Sequence, residues 1–274
     1  MVREHLEDPV SPPDDLRAYV TTLTLRHSLA LNYKKITYTT VWVEYADIQA
    51  VSNEIGATTT EKRPTGEPRY TVPAIRNPAT GEVVADSAKI LAYLEEKYPE
   101  RPLVPAGMLE EQTAFAGKMY STLGTVGVSN PYHNLQRCSH GTSQAWFRFA
   151  IDVFHRMMIP RSGAAFERVV RSMDNGPPFA ERSPPPPEAW SDVQEGFSRL
   201  AQLYGTHKYV FGDNVTYADI LVASVLFPLC QTVSDERKAD IRKWDGGRWG
   251  ALMDEFEEAG YTAADHGEVY VAPA

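Results

Sequence analysis

Tyr70-Thr71-Val72-Pro73-Ala74-Ile75, then Asn77-Pro78-Ala79-Thr80-Gly81, then Glu82-Val83-Val84-Ala85-Asp86-Ser87, is the stretch whose reading decides the fold. The first piece is rich in β-branched and aromatic residues and reads as a strand, although it contains a proline. The second is a turn, because Asn, Pro and Gly supply the backbone angles that turns need. Glu82–Ala85 reads as a second short strand. From Ser87 to Tyr98, the residues Ile90, Leu91, Leu94 and Tyr98 make an apolar stripe at helical spacing, and Pro99 ends it. Two short strands that lead straight into an amphipathic helix belong to a small α/β unit.

The flanks extend this unit. Leu25 and Leu29 share one face of a segment from about Thr22 to Asn32, with Ala30 and Leu31 beside them, and this predicts a helix. Tyr38-Thr39-Thr40-Val41-Trp42-Val43 predicts a strand, Asp47 to Ile55 a short helix, and Ala57 to Arg69 a polar loop. Downstream of Pro102 and Pro105 the character changes. Periodic segments cover Glu110 to Val128, Ser143 to Met158, Ala189 to Tyr204, Tyr217 to Val233 and Gly247 to Ala259, with little strand signal. The expectation is a mixed four-stranded sheet with helices over residues 1–104, followed by an all-helical bundle over 105–274. The tail from Tyr261 to Ala274, with Val269, Tyr270 and Val271, either packs back on the surface or hangs loose.

Composition narrows the function. The chain has 274 residues, 27 Lys+Arg against 36 Asp+Glu, and a net charge of −9. Binding phosphates needs a basic surface, and no basic cluster offsets the acidic balance, so nucleic acid is not expected as a partner. Two cysteines, Cys138 and Cys230, exclude a disulfide scaffold and a multi-cysteine metal site. No apolar run approaches the roughly 20 residues that cross a bilayer. Met1 to Asp8 is charged and has no apolar signal core, so a cytoplasmic location is expected. His133, Cys138 and His140 follow no recognised ligand spacing, and no metal is expected.

Four groups of residues carry possible chemistry. Val72-Pro73 reads either as an ordinary trans proline at a sheet edge or as a cis peptide that turns the Val72 backbone toward an extended peptide-like ligand. Asp86-Ser87 at a helix start reads either as a cap or as a site for a zwitterion. In the second reading the helix N–H groups and Ser87 hold a carboxylate, and Asp86 accepts from an ammonium. Thr21, Thr22 and Thr24 precede the first helix, either as cap and surface residues or as hydroxyls that donate to a thiolate. Thr216-Tyr217-Ala218-Asp219 is close to a capping box, with Val215 and Ile220 as its hydrophobic staple; this signal is structural. Ser183 and the prolines Pro184 to Pro187 read as a stiff connector between helices, or else as a docking motif.

The order of these pieces resembles the glutathione transferase superfamily. Leu29-Ala30-Leu31-Asn32-Tyr33-Lys34 and Trp42-Val43-Glu44-Tyr45 look most like its fungal branch related to bacterial β-etherases. Val72-Pro73, Asp86-Ser87 and Phe211-Gly212-Asp213-Asn214-Val215-Thr216-Tyr217-Ala218-Asp219 complete the pattern. The resemblance implies a thioredoxin-like domain that binds glutathione and a helical domain that supplies the pocket for an apolar or aromatic electrophile, with a homodimer as the assembly. It makes Pro73 a cis proline, pairs Val72 with the cysteinyl backbone of glutathione, and gives the γ-glutamyl end to Asp86 and Ser87. Thr21 aligns with the family's activating serine and Thr22 with the proline that follows; Thr24 is the fallback. Arg26 stands where a lysine is common. Pro12-Pro13-Asp14-Asp15 occupies part of the place of the first strand, which is expected to be poorly formed. Other outcomes on the same fold are an isomerase, dehydratase or cyclase, a ligand-binding protein that no longer conjugates, or a partner-binding protein.

Overall fold

The computed structural model describes residues 16–20, 25–59, 62, 66–123, 188–262 and 267–270, with single positions at 164, 167, 171, 178 and 181. Its elements are β1 (Leu16–Val20), α1 (Leu25–Lys34), β2 (Tyr38–Trp42), a 3₁₀ turn (Tyr45–Asp47), α2 (Ile48–Ile55), β3 (Ala74–Arg76), β4 (Val83–Ala85) and α3 (Ser87–Lys97). Then come α4 (Leu109–Thr122), α5 (Glu188–Tyr204), α6 (Tyr217–Thr232), α7 (Asp235–Ile241), α8 (Trp244–Glu258) and β5 (Glu268–Val269).

The sheet runs β4-β3-β1-β2-β5. β1 pairs with β2 in parallel and with β3 antiparallel, and β3 pairs antiparallel with β4. The four strands of the expected mixed sheet are therefore present, in a thioredoxin-like arrangement. Two features differ from the sequence reading. β1 is a regular five-residue strand in the middle of the sheet, not a poorly formed one, because Leu16, Ala18, Tyr19 and Val20 are all buried and its ladders run on both sides. The tail also returns to the sheet, where β5 lies parallel to the edge strand β2.

Period-two alternation sorts the strand residues into two layers. Leu16, Ala18, Val20 and Ile75 pack with Leu31 of α1 and with Ile90, Tyr93 and Leu94 of α3. On the opposite face Tyr19, Val41, Val43 and Ala74 pack with Val51 of α2. α1 faces two ways. Its Leu31 enters the sheet layer, while Leu29 and Ala30 join the core of the helical half.

That core centres on α6, where Ala218, Ile220, Leu221, Val222, Ala223 and Leu226 are fully buried, as expected of a helix that is apolar all round. The capping box forms at its start. Asp219 Oδ2 accepts from the Thr216 N–H and hydroxyl, each at 2.9 Å, and Oδ1 accepts from the Val210 N–H at 3.0 Å. α8 includes Asp245, Gly246 and Gly247 in left-handed conformation, so its regular part begins where the sequence pattern placed it. α7 was not foreseen, although Ser234 with Asp235 and Glu236 behind it is a helix-start signal: Ser234 Oγ accepts from the Arg237 N–H at 3.4 Å. Among the described residues no helix is long and apolar enough to cross a membrane.

Candidate active site

The hairpin between β3 and β4 sets the geometry. Asn77 Oδ1 accepts from the N–H groups of Ala79 and Thr80, and the Gly81 N–H donates to the Asn77 carbonyl at 2.8 Å with Gly81 at φ 73°. This turn fixes the register Ala74↔Ala85. Pro73 and Asp86 are the residues next to the last pair of that ladder, and Val72 and Ser87 follow one position further out. Because Tyr19 pairs with Ala74, all four stand at the carboxyl end of β1. The Val72–Pro73 peptide bond is cis. The structure thus brings together two pairs that lie thirteen residues apart in the chain.

Asp86 caps α3, its Oδ1 accepting from the N–H groups of Ala88 at 2.9 Å and Lys89 at 3.3 Å. Among the described residues its Oδ2 accepts no hydrogen bond. Its backbone has φ 85° and ψ 132°, a region that costs a residue with a Cβ on the order of 1–3 kcal/mol. Capping alone does not require that conformation, since an N-cap residue is ordinarily extended. The cap reading of Asp86 is thus met by one oxygen, and the exposed residue keeps a second oxygen outside the cap.

Beside it opens a cleft lined by Ser52, Ala57, Thr58, Thr59, Tyr70, Thr71, Ala85, Asp86 and Lys89. One wall is the end of α2 and the loop after it. Thr59 Oγ1 donates to the Arg69 carbonyl at 2.8 Å and ties that loop to the segment leading into Val72. Sequence reading took Ala57 to Arg69 only as a polar loop and missed Ser52, Thr58, Thr59, Tyr70 and Lys89, because no local pattern shows which loop folds onto Asp86. The lining has one carboxylate, one ammonium and several hydroxyls, beside the N-terminus of α3. This set suits a small zwitterionic peptide.

Arg26, on the first turn of α1, is half-buried between the two halves. Burial disfavours its charge, but Tyr120, Tyr217 and Asp86 around it more than offset that, and its pKa moves up. Burial pushes the Tyr217 phenol up to about 12 against the opposing pull of Arg26. At neutral pH a fixed cation and a protonated phenol thus meet where α1 and α6 come together. Thr21, Thr22 and Thr24 lie outside the described residues, as do His133, Cys138, His140, the prolines 184–187 and the periodic segment from Ser143 to Met158.

Comparison with known proteins gives the fold its lineage. Residues 22–97 match the glutathione S-transferase N-terminal domain, and residues 135–259 match the glutathione S-transferase C-terminal domain. The chain belongs to the glutathione S-transferase superfamily. A similar solved structure is the glutathione S-transferase CsGST63524 of Ceriporiopsis subvermispora, crystallised with glutathione; it is 29% identical with a TM-score of 0.74, over 89% of this chain and 97% of that one. Glutathione transferase GSTFuA2 of Phanerochaete chrysosporium is 27% identical with a TM-score of 0.73, over 92% and 99%. Both relatives come from fungi, the branch that the sequence resembles. The glutathione S-transferase-like protein ustS of Aspergillus flavus is 33% identical over 101 residues, a match that spans 35% of this chain and 36% of that relative. In this transferase fold the cleft beside Asp86 lies at the carboxyl end of the central strand of the N-terminal domain, and α6 of the C-terminal domain packs on α1.

Proposed function

We propose that this transferase-fold chain is an enzyme that binds glutathione in the cleft between Val72-Pro73 and Asp86-Ser87 and directs its thiolate at an apolar or aromatic electrophile, aryl ethers included. The observation that carries this reading is the convergence of those four residues on one end of the sheet, beside a cleft with zwitterion-binding groups. It is supported by the similarity to a fungal transferase crystallised with glutathione. Asp86 Oδ2 accepts from the γ-glutamyl ammonium, the Ser87 hydroxyl and backbone N–H take the γ-glutamyl carboxylate, and the Val72 backbone pairs with the cysteinyl residue. The Thr21 O–H donates a hydrogen bond to the sulfur and so stabilises the thiolate once the thiol has lost its proton to water, since a thiol with pKa about 8.5 is only a few per cent ionised at neutral pH. The sulfur then bonds to the electrophilic carbon, and the leaving group, a phenolate in the ether case, departs with the electron pair of the broken bond.

Calorimetry of glutathione against the wild type and Asp86→Ala tests the reading. Saturable binding that Asp86→Ala abolishes or weakens supports it. No wild-type binding at millimolar glutathione overturns it, and undiminished binding in the variant overturns the placement of the γ-glutamyl end. The same reading pairs two copies of the chain, so light scattering should give twice the 30.6 kDa chain mass.

A further inference from the structure

The tail does more than cover an edge. β5 lies parallel to β2 with Glu268 opposite Val41, and the Tyr270 N–H donates to the Trp42 carbonyl at 2.9 Å. A Cβ at Gly267 would collide with the Thr40 carbonyl oxygen, so the close approach of tail and strand requires glycine there. Glu268 accepts two bonds from Arg17, at 2.8 and 3.2 Å, across the width of β2. Upstream of the strand, the Tyr261 carbonyl accepts from Asn32 Nδ2 at 2.8 Å and its hydroxyl accepts from Arg101 Nη2 at 3.2 Å. The chain leaving the helical half is therefore fastened at several points before it reaches Tyr270.

Tyr270 then touches α2. Its hydroxyl donates to Glu54 Oε2 at 2.8 Å, and its ring joins the apolar layer that holds Val51, Ile48 and Ile55 against the sheet. α2 is eight residues long and its buried residues are Val51 and Ser52, so little of its own surface fixes it. The same end of α2, through Ser52, Ala57, Thr58 and Thr59, forms the wall of the cleft facing Asp86.

We infer that Tyr270 is a positioning residue for the glutathione cleft: the tail strap, fastened along β2, holds the end of α2 through Glu54 and so sets the distance between the Ser52–Thr59 wall and Asp86. This rests on the cleft being the glutathione site. Tyr270 touches no substrate in this arrangement and acts only through α2.

The test uses the full chain with Tyr270→Phe, Glu54→Ala, both together, and Glu54→Gln, which keeps an oxygen that accepts from the phenol. Two readouts are taken: amide hydrogen exchange of residues 48–57, and the glutathione dissociation constant. Loss of one such hydrogen bond should speed α2 exchange and weaken glutathione about fivefold in Tyr270→Phe and in Glu54→Ala, with α1 and α3 unchanged. The double variant should be no worse than either single one, and Glu54→Gln should stay close to the wild type. Unchanged α2 exchange in both single variants overturns the strap, whether or not glutathione binds. Faster α2 exchange with unchanged glutathione affinity overturns its role at the cleft. A wild type that binds no glutathione overturns the proposed function, and the exchange result alone then decides the strap.

Discussion

Lys34 Nζ lies 2.7 Å from Glu95 Oε1, and the Lys34 side chain has no solvent exposure. Its other two protons go to the carbonyls of Tyr98 at 2.8 Å and Arg101 at 3.0 Å, so all three donors of the ammonium are used. Glu95 in turn accepts from the N–H groups of Leu103 and Val104, both at 3.1 Å, and the Leu103 carbonyl accepts from the Tyr217 N–H at 2.9 Å. One buried ion pair thus fixes the chain that passes from the thioredoxin-like half to the helical half, and with it the start of α6. Removing one partner of such a pair costs about 3 kcal/mol or more, because the other charge is left without its counter-ion. Lys34→Met should lower unfolding free energy by about that amount, and a double-mutant cycle with Glu95→Gln should give a coupling above about 1 kcal/mol. The exposed pair Lys97 and Glu96, with side chains 47% and 72% accessible, serves as the control. Glu96→Gln should stay within about 0.5 kcal/mol of the wild type in the same denaturant titration.

Asp86 separates stability from function. Its positive φ is a conformation that glycine adopts freely, and glycine at an N-cap costs only a few tenths of a kcal/mol against the usual capping residues. Asp86→Gly should therefore unfold within about 1 kcal/mol of the wild type while losing tenfold or more in glutathione affinity. Asp86→Asn keeps a capping oxygen and removes the charge, so it should lose affinity with an almost unchanged melting temperature. Retained affinity in both variants would show that the strained aspartate is only a cap.

Much of this was legible because it is local. The Asn77–Gly81 turn, the helix after Ser87 and the capping box at Thr216 each announce themselves within a few residues, and the turn sets the register that brings Val72-Pro73 near Asp86-Ser87. β1 was undervalued because Pro12-Pro13 distracts from it and because a central strand draws its order from the neighbours on both sides. β5 has two residues and no pattern of its own; Gly267 and the Arg17–Glu268 pair show its place only once β2 is beside it. The cleft wall at Ser52 and Thr58 was illegible for the same reason, since its partner is some thirty residues further along the chain. Arg26 was noticed as a departure from a family pattern, but its phenol neighbours come from α4 and α6, which no local reading joins to α1.

Cys230 gives a prediction in pH. It is buried on α6, with Sγ 3.7 Å from Met253 Sδ. Burial pushes its thiol up to about 11, although Lys238 and Arg242 pull the other way. The folded state keeps this proton through a range where an unfolded chain, with a thiol near 8.5, has lost it. The folded state then binds more protons between those values, so this group's contribution to stability falls as pH rises from about 8.5 to 11. In a Cys138→Ser chain, where Cys230 is the remaining thiol, labelling by a disulfide reagent at about pH 8 should be a hundredfold or more slower than for an exposed peptide thiol. The rate should keep climbing to about pH 10 instead of levelling near 8.5. Rapid labelling with an ordinary midpoint would refute the burial.

The activating hydroxyl is the remaining test of the chemistry. β1 ends at Val20, beside the end of the sheet where Ala74 and Ala85 pair, and Thr21 is the next residue in the chain. A group there that donates to the sulfur of bound glutathione stabilises the thiolate over the thiol and so lowers its pKa. Thr21→Val removes the hydroxyl and nearly preserves shape. If Thr21 is the donor, turnover with an aryl electrophile should fall about tenfold or more while the dissociation constant for glutathione moves little. The pH at which bound glutathione ionises, followed by thiolate absorbance, should rise in the same variant. Thr24→Val, the shifted alternative, should leave both unchanged when Thr21 is responsible and reproduce both losses when it is not. Thr22→Val, at the position of the family proline, should leave rate and titration alike. A Thr21→Val protein with the wild-type rate and titration curve removes this residue from the mechanism, and the glutathione affinity measured alongside shows whether the cleft itself still stands.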